Sequence, residues 1–259
     1  MQLPDKSFIV TGSSRGLGAE TARQLKGAGA RVIGMDLHES QENVDRFIQM
    51  DLSNKASIEK ACNELDERVH GLCNIAGVAP TLAPDLVLKI NFLGTRYLTT
   101  LLEPKMCDDG SIVNIASGTA MGWGKNIAKH KVLMQMGLED DIAAFCRREE
   151  IVKANCYAFS KEAMIVWMLA EWKKREVRGI RMNSISPGPI ETPLLPDFFS
   201  DMMPADAPMY EMERGTASVE EIANVILFLC DDLSSWIHAA NIPVDGGLSA
   251  IVYKRIFQF

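Results

Sequence analysis

The chain carries no metal or disulfide signature. Its six cysteines, Cys62, Cys73, Cys107, Cys146, Cys156 and Cys230, are scattered, with no Cys-x-x-Cys pair and no cluster with histidine. That spacing signals neither a zinc site nor a disulfide frame, and reduced thiols in a cytosol are the economical explanation. Long apolar runs are missing too, since stretches such as residues 163–170 fall well short of the ~20 that a membrane span requires. There is no surplus of positive charge, and a net charge of −7 argues against nucleic acid or an anionic membrane as partner. A strand expected from residue 6 or 7 leaves no room for a signal peptide. Together these absences predict a soluble, cytoplasmic protein. At 259 residues, 47% hydrophobic and 24% charged, the composition suits one sizeable core and a single α/β domain.

What is present is an alternation of short apolar strands and amphipathic helices. Residues 7–11 read as a strand running into Gly12-Ser13-Ser14-Arg15-Gly16-Leu17-Gly18. A helix follows to about Lys26, with Leu17, Ala22 and Leu25 on one side, and Gly27-Ala28-Gly29 stops it. Residues 31–35 form a second strand ending at Asp36. Strand, glycine-rich turn, helix, strand and acidic residue is the context of a dinucleotide site. In it the backbone of Gly12, Ser14, Arg15, Gly16, Leu17 and Gly18 can approach a pyrophosphate, and the helix N-terminus adds favourable partial charge. Asp36 stands 18 residues after Gly18, where a carboxylate accepts from ribose hydroxyls and repels a 2′-phosphate. Arg15 pulls the other way, since a guanidinium could hold that phosphate. The carboxylate carries more weight, so NAD is expected over NADP.

Residues 47–50 are a third strand, followed by Asp51-Leu52 at the position of an adenine edge. Residues 57–69 read as a helix, and 72–75 as a fourth strand ending in Asn74-Ile75-Ala76-Gly77. The helix after Pro84 is apolar apart from Asn91, and 111–117 is a fifth strand with Ser117 at its carboxyl end. In open parallel sheets ligands bind at that edge. A further helix over residues 157–175 carries Tyr157 and Lys161 one turn apart on one face. A phenol of pKa about 10 is a poor base at neutral pH. A fixed ammonium beside it favours the phenolate and is expected to lower that value.

Thr11-Gly12-x-x-x-Gly16-x-Gly18, Asn74-x-Ala76-Gly77, Asn91, Ser117, Tyr157-x-x-x-Lys161, Pro187-Gly188 and Asp245-Gly246-Gly247 occur in the order seen in the short-chain dehydrogenase/reductase family. The chain resembles that family over nearly its whole length. The resemblance implies a Rossmann-type three-layer fold with a roughly seven-stranded parallel sheet, one nicotinamide cofactor and no metal. It implies Tyr157 as general acid/base and Lys161 as the residue that holds the nicotinamide ribose. Ser117 would bond the substrate oxygen, and Asn91 would anchor a water in the proton relay. Asn74, Ala76, Gly77, Pro187 and Gly188 would approach the cofactor, and the Ile190 backbone and Thr192 would meet the nicotinamide carboxamide. The expected activity is oxidation or reduction of an apolar or aromatic alcohol/ketone pair, a hydroxysteroid included. The alternatives are an NADPH-dependent 3-oxoacyl-type ketoreductase and a nucleotide-binding protein without turnover.

Two departures from the family pattern stand out. The connection from Gly77 to Asn91 is short, and 40 residues separate Ser117 from Tyr157. Within that long insert, taken as residues 121–155 of one 1–259 domain, 126–136 and 139–148 read as helices split by Gly137. Their apolar faces, Ile127, Leu133 and Met134 on one and Ile142, Phe145 and Cys146 on the other, need cover. They are expected to lie over the flank that family members use to build tetramers, leaving a homodimer through the last helix, the last strand and the tail near Phe257 and Phe259. Residues 194–214, rich in Leu, Met and Phe, read as an adaptable lid over an apolar substrate.

Overall fold

The computed structural model describes residues 1–39, 42–199 and 215–258. Strands β1 (Ser7–Thr11), β2 (Arg31–Asp36) and β3 (Arg46–Gln49) alternate with helices α1 (Gly16–Gly27) and α2 (Lys55–Glu64). β4 (Val69–Asn74) leads to a long helix in three parts: α3 (Pro84–Leu88), a π-helical turn (Lys89–Gly94) and α4 (Thr95–Leu102). β5 (Met106–Ile115) is followed by a 3₁₀ segment (Gly118–Asn126), α5 (Ile127–Leu133) and α6 (Ile142–Arg148). Then come α7 (Cys156–Glu171), α8 (Lys173–Glu176), β6 (Arg181–Pro187), α9 (Leu195–Phe199), α10 (Val219–Cys230), β7 (Asn241–Val244) and α11 (Leu248–Phe257).

The seven strands form one parallel sheet in the order β3-β2-β1-β4-β5-β6-β7. Neighbouring side chains of a strand face opposite sides of a sheet, and β1 shows the consequence. Phe8 and Val10 join the core beneath α1 and α10, whereas Ile9 joins the core beneath α2, α4 and α7. The carboxyl ends of β1 and β4 diverge where the strand order reverses, which opens a crevice at that edge.

Local signals explain where the helices begin. Asn54 caps α2 through the amide of Ser57, Pro84 opens α3, and Ser218 and Glu221 form a reciprocal capping box on α10. The predicted helix over 57–69 ends at Glu64 instead. Leu65 takes up extended dihedrals, and Val69 is buried as the first residue of β4, paired with Met106. The tail forms a helix, α11, rather than a loose end.

The segment between Ser117 and Tyr157 is helical but more finely divided than expected. Asp141 caps α6 through the amide of Ala144, so that helix starts at Ile142 rather than residue 139. Leu133, Ile142, Phe145 and Cys146 are buried in the same core as Phe92 and Phe159. Ile127 is the exception and stays 37% exposed. The Arg96 guanidinium of α4 donates to the carbonyls of Met134 and Met136, and Lys55 pairs with Glu139 at 2.8 Å. The segment therefore covers the α3–α4 and α7 flank.

One close approach fixes the height of the long helix. A Cβ on Gly94 would stand 2.0 Å from the carbonyl oxygen of Leu52, so only glycine lets the π-helical turn meet the loop after β3.

Candidate active site

A cavity of about 550 Å³ runs along the carboxyl edge of the sheet. Gly12, Ser14, Arg15, Gly16, Leu17 and Gly18 line one end, with Asp36, Asp51 and Leu52 beside them. Ala76 and Gly77 form its middle, and Ser117, Tyr157, Lys161, Pro187, Gly188, Ile190 and Thr192 its far end. Residues expected from scattered motifs thus share one cleft.

The glycine turn is built for close backbone contact. A Cβ on Gly18 would stand 2.0 Å from the carbonyl oxygen of Gly12, so the first turn of α1 closes only over glycine. No side chain caps that helix end, which leaves its first amides aimed into the cleft. Thr11 ties the turn to β4, its hydroxyl accepting from the amides of Ile75 at 2.9 Å and Ala76 at 3.0 Å. On the adenosine side the Ser14 amide and hydroxyl donate to Asp36 Oδ2 at 3.0 and 2.7 Å, and the His38 amide donates to Oδ1 at 3.0 Å. The carboxylate is fixed facing the glycine turn, while Arg15 lies exposed at the rim. A dinucleotide fits this end of the cavity: uncapped amides for its phosphates, and a held carboxylate for its ribose.

At the other end α7 presents Tyr157 and Lys161. Lys161 Nζ donates to the carbonyl of Ile115 at 2.7 Å, the last residue of β5, and lies 5.7 Å from the centre of the Tyr157 ring. Ser117, just beyond β5, hydrogen-bonds the phenol. Its Oγ also accepts from the Thr119 amide at 3.2 Å and the Thr119 hydroxyl at 3.0 Å, which points its own proton outward. Burial pushes the Tyr157 phenol up to about 12, opposed by the Ser117 hydrogen bond. Burial also pulls Lys161 down to about 8. The phenol is therefore raised where a lowering by the lysine was expected, because desolvation of the anion is the largest effect and only the Ser117 hydrogen bond opposes it.

Two predicted residues do not reach the cavity. Asn74 is 3% exposed, and its Nδ2 donates to Thr99 Oγ1 at 3.0 Å and Asn114 Oδ1 at 2.8 Å. The parallel register sets it beside Asn114, so its side chain joins β4 to β5 and α4 instead of meeting a cofactor. Asn91 sits in the π-helical turn, its Oδ1 accepting from the Val78 amide at 2.8 Å and its Nδ2 donating to the Val78 carbonyl at 3.0 Å and Ser160 Oγ at 3.2 Å. It holds the wall behind Gly77 rather than lining the cleft. A Cβ on Gly77 would lie 3.1 Å from Asn91 Oδ1 and 3.7 Å from Lys161 Nζ.

The sequence reading passed over several apolar lining residues: Val78, Ile90, Met121, Leu248 and Val252. Leu248 and Val252 repeat the one-turn spacing of Tyr157 and Lys161, a signal available just after Asp245-Gly246-Gly247. Of the expected lid, Leu194 and Leu195 line the cavity, and Met202, Met203, Met209, Tyr210 and Met212 lie outside the described residues.

The chain is similar to known proteins over nearly its whole length. A family model described as short chain dehydrogenase matches residues 6–128, and one described as Enoyl-(Acyl carrier protein) reductase matches residues 141–249. A coniferyl-alcohol dehydrogenase from Pseudomonas sp. strain HR199 is 41% identical over 257 residues, covering 96% of this chain and 99% of that protein. The chain belongs to the short-chain dehydrogenase/reductase family. This short-chain dehydrogenase is an oxidoreductase that acts on alcohol groups with a nicotinamide cofactor. It is also 25% identical to a 3-alpha-hydroxysteroid dehydrogenase/carbonyl reductase of Comamonas testosteroni, over 96% of this chain and 99% of that one. Its fold superposes with a TM-score of 0.80 on the 3-alpha-hydroxysteroid dehydrogenase of Pseudomonas sp. B-0831 complexed with NADH, at 27% identity over 95% of this chain and 98% of that one.

The charge on Lys161 has a measurable consequence. Tyr157 must lose its proton to act as a base, and the lysine ammonium is the cation beside it that favours the phenolate. Lys161→Met should move the rising limb of alcohol oxidation to higher pH by about one unit or more. A pH profile of kcat/KM checks this, and an unmoved profile counts against the coupling.

Proposed function

We propose that this enzyme is an NAD-dependent alcohol dehydrogenase/carbonyl reductase acting on an apolar or aromatic alcohol, coniferyl-alcohol-like or 3α-hydroxysteroid-like. The observation that carries the reading is the apolar lining, Val78, Ile90, Met121, Leu194, Leu248 and Val252, in the same cavity as Tyr157, Ser117 and Lys161. The 41% identical coniferyl-alcohol dehydrogenase supports it from outside. In oxidation Tyr157 takes the hydroxyl proton while Ser117 Oγ holds the substrate oxygen. Lys161 would hold the ribose hydroxyls of a bound nicotinamide cofactor and favour the phenolate, and Asn91 steadies the Val78 backbone beside it. A bound nicotinamide supplies the acceptor for the carbinol hydride in this direction and its donor in the reverse.

NAD is the preferred cofactor in this reading. A 2′-phosphate would lie against the fixed Asp36 carboxylate, while Arg15 is solvated at the rim. Residues 1–259 are taken as one Rossmann-type domain in which 121–155 are an insertion. That insertion covers the α3–α4 and α7 flank, so the working assembly is a homodimer through another surface. Exposed Tyr253, Ile256 and Phe257 on α11 and Trp236 before β7 supply apolar area for it, and Phe259 lies outside the described residues. Buried free cysteines and the acidic net charge are in keeping with a cytoplasmic location. Among the described residues no helix is long and apolar enough to cross a membrane.

Tyr157→Phe should fold and bind NADH but lose aryl-alcohol turnover by roughly 10² or more, the scale of a positioned acid/base group. Steady-state rates on aryl alcohols and hydroxysteroids check it, and near wild-type rates would remove the tyrosine from the mechanism. Wild type should show a higher kcat/KM with NAD than with NADP, and Asp36→Ala should narrow or reverse the ratio. A wild type that already prefers NADP overturns the weighting of Asp36 over Arg15. Sedimentation should report two copies, and a tetramer joined through α4 and α7 would sink the assembly proposed here.

A further inference from the structure

The substrate side of the cavity is walled by an unusual piece of backbone. Gly118–Asn126 is a nine-residue 3₁₀ segment, whose strained hydrogen bonds rarely sustain more than a single turn unaided. It carries Thr119 and Met121 into the cavity. Its near end is fixed where Ser117 leaves β5. Its far end meets Glu162, the residue that follows Lys161 on α7.

Glu162 is 6% exposed in apolar surroundings, with Phe159 and Ile165 on the same helix. Asn126 Nδ2 donates to its Oε2 at 2.8 Å, and His130 Nε2 lies 3.0 Å from the same oxygen. His130 is fully buried, and its ring stacks on Phe159 with centroids 4.3 Å apart. Its Nδ1 has no partner among the described residues, so Nε2 is the nitrogen that carries the proton toward the carboxylate. Gly122 passes over the other oxygen, where a Cβ would stand 3.4 Å from Oε1. Trp123 packs against Ala116, Ala120 and Ile165. A buried carboxylate is costly unless it is bonded, and an aliphatic side chain would fill this place without that cost. What the carboxylate adds is direction, since it gathers the end of the wall and the start of α5 onto one point of the catalytic helix.

We propose that Glu162, with His130 and Asn126, is a positioning set that holds the wall from Ser117 to Asn126 against the catalytic helix and thereby gives a bulky alcohol the surface on which it packs beside Tyr157. The proposal rests on the reading of this cavity as an alcohol site. None of the three touches substrate or cofactor; they act through Thr119 and Met121.

The test compares wild type with Glu162→Leu, Glu162→Gln, His130→Phe and Asn126→Ala on a small and a bulky aryl alcohol. Loosening the wall should raise KM for the bulky alcohol about fivefold or more in Glu162→Leu and His130→Phe, with kcat within about twofold and the small alcohol less affected. NADH affinity should stay within about twofold, and Glu162→Gln, which keeps an acceptor for both donors, should restore most of the KM. Asn126→Ala removes one arm at a partly exposed position and should show a smaller shift of the same kind if the buried variants fail to fold. Equal loss on both alcohols, unchanged KM, or NADH affinity falling in parallel overturns the proposal. If wild type turns over neither aryl alcohols nor hydroxysteroids, the functional reading fails by itself, and hydrogen exchange still decides the clamp. Amides of residues 117–126 should then exchange about tenfold or more faster in the variants, with 156–171 unchanged. Equal protection overturns the clamp as well.

Discussion

A buried ammonium has to be satisfied, and in this protein the way Lys161 is satisfied sets the rest of the active site. Its donation to the Ile115 carbonyl takes the last acceptor of β5 and fixes α7 over that strand end. With the helix fixed, Tyr157 one turn earlier can sit only where Ser117, just past the same strand, meets its phenol. Tyr157 and Ser117 are therefore brought together by one helix–strand contact rather than by a flexible loop. Burial has a second effect, because the environment that holds the lysine also resists ionisation of the tyrosine. Solvent exclusion and a nearby cation pull the phenol in opposite directions, and the balance between them decides at what pH the base is available.

The parts of this arrangement most legible in the sequence obey short-range geometry. The glycine turn followed by Asp36, and the Tyr157/Lys161 pair, depend on spacing within one element or one strand–helix–strand unit, which the order of residues states directly. Ser117 was readable because a strand end marks the binding edge. What escaped depends on direction across the sheet. Asn74 was assigned to the cofactor because its neighbours Ala76 and Gly77 belong there, but the parity of a strand sends its side chain to Asn114 instead. Leu248 and Val252 reach the cavity from the end of the chain; their one-turn spacing marks a shared face, but not that the cavity lies against it.

The long segment between Ser117 and Tyr157 is the chain's chief departure from the family plan, and it is integrated, not appended. Its apolar faces merge with the main core, Arg96 closes the carbonyls after α5, and Gly118, Thr119 and Met121 near its start line the cavity. Covering a helical flank and shaping a binding wall are thus done by the same stretch of chain. A change that loosens the cover therefore also moves the wall.

The π-helical turn at Lys89–Gly94 extends this reasoning to the cofactor end. It lines the cleft through Ile90 and braces its walls at two more points: Gly94 against the Leu52 carbonyl, and Asn91 on Val78 beside Gly77 and Lys161. The turn therefore works as a spacer bar between the adenine end and the lysine end. Its wider turn holds one more residue per hydrogen-bonded loop than an α-helix, and a regular α-helical turn would bring those supports out of step.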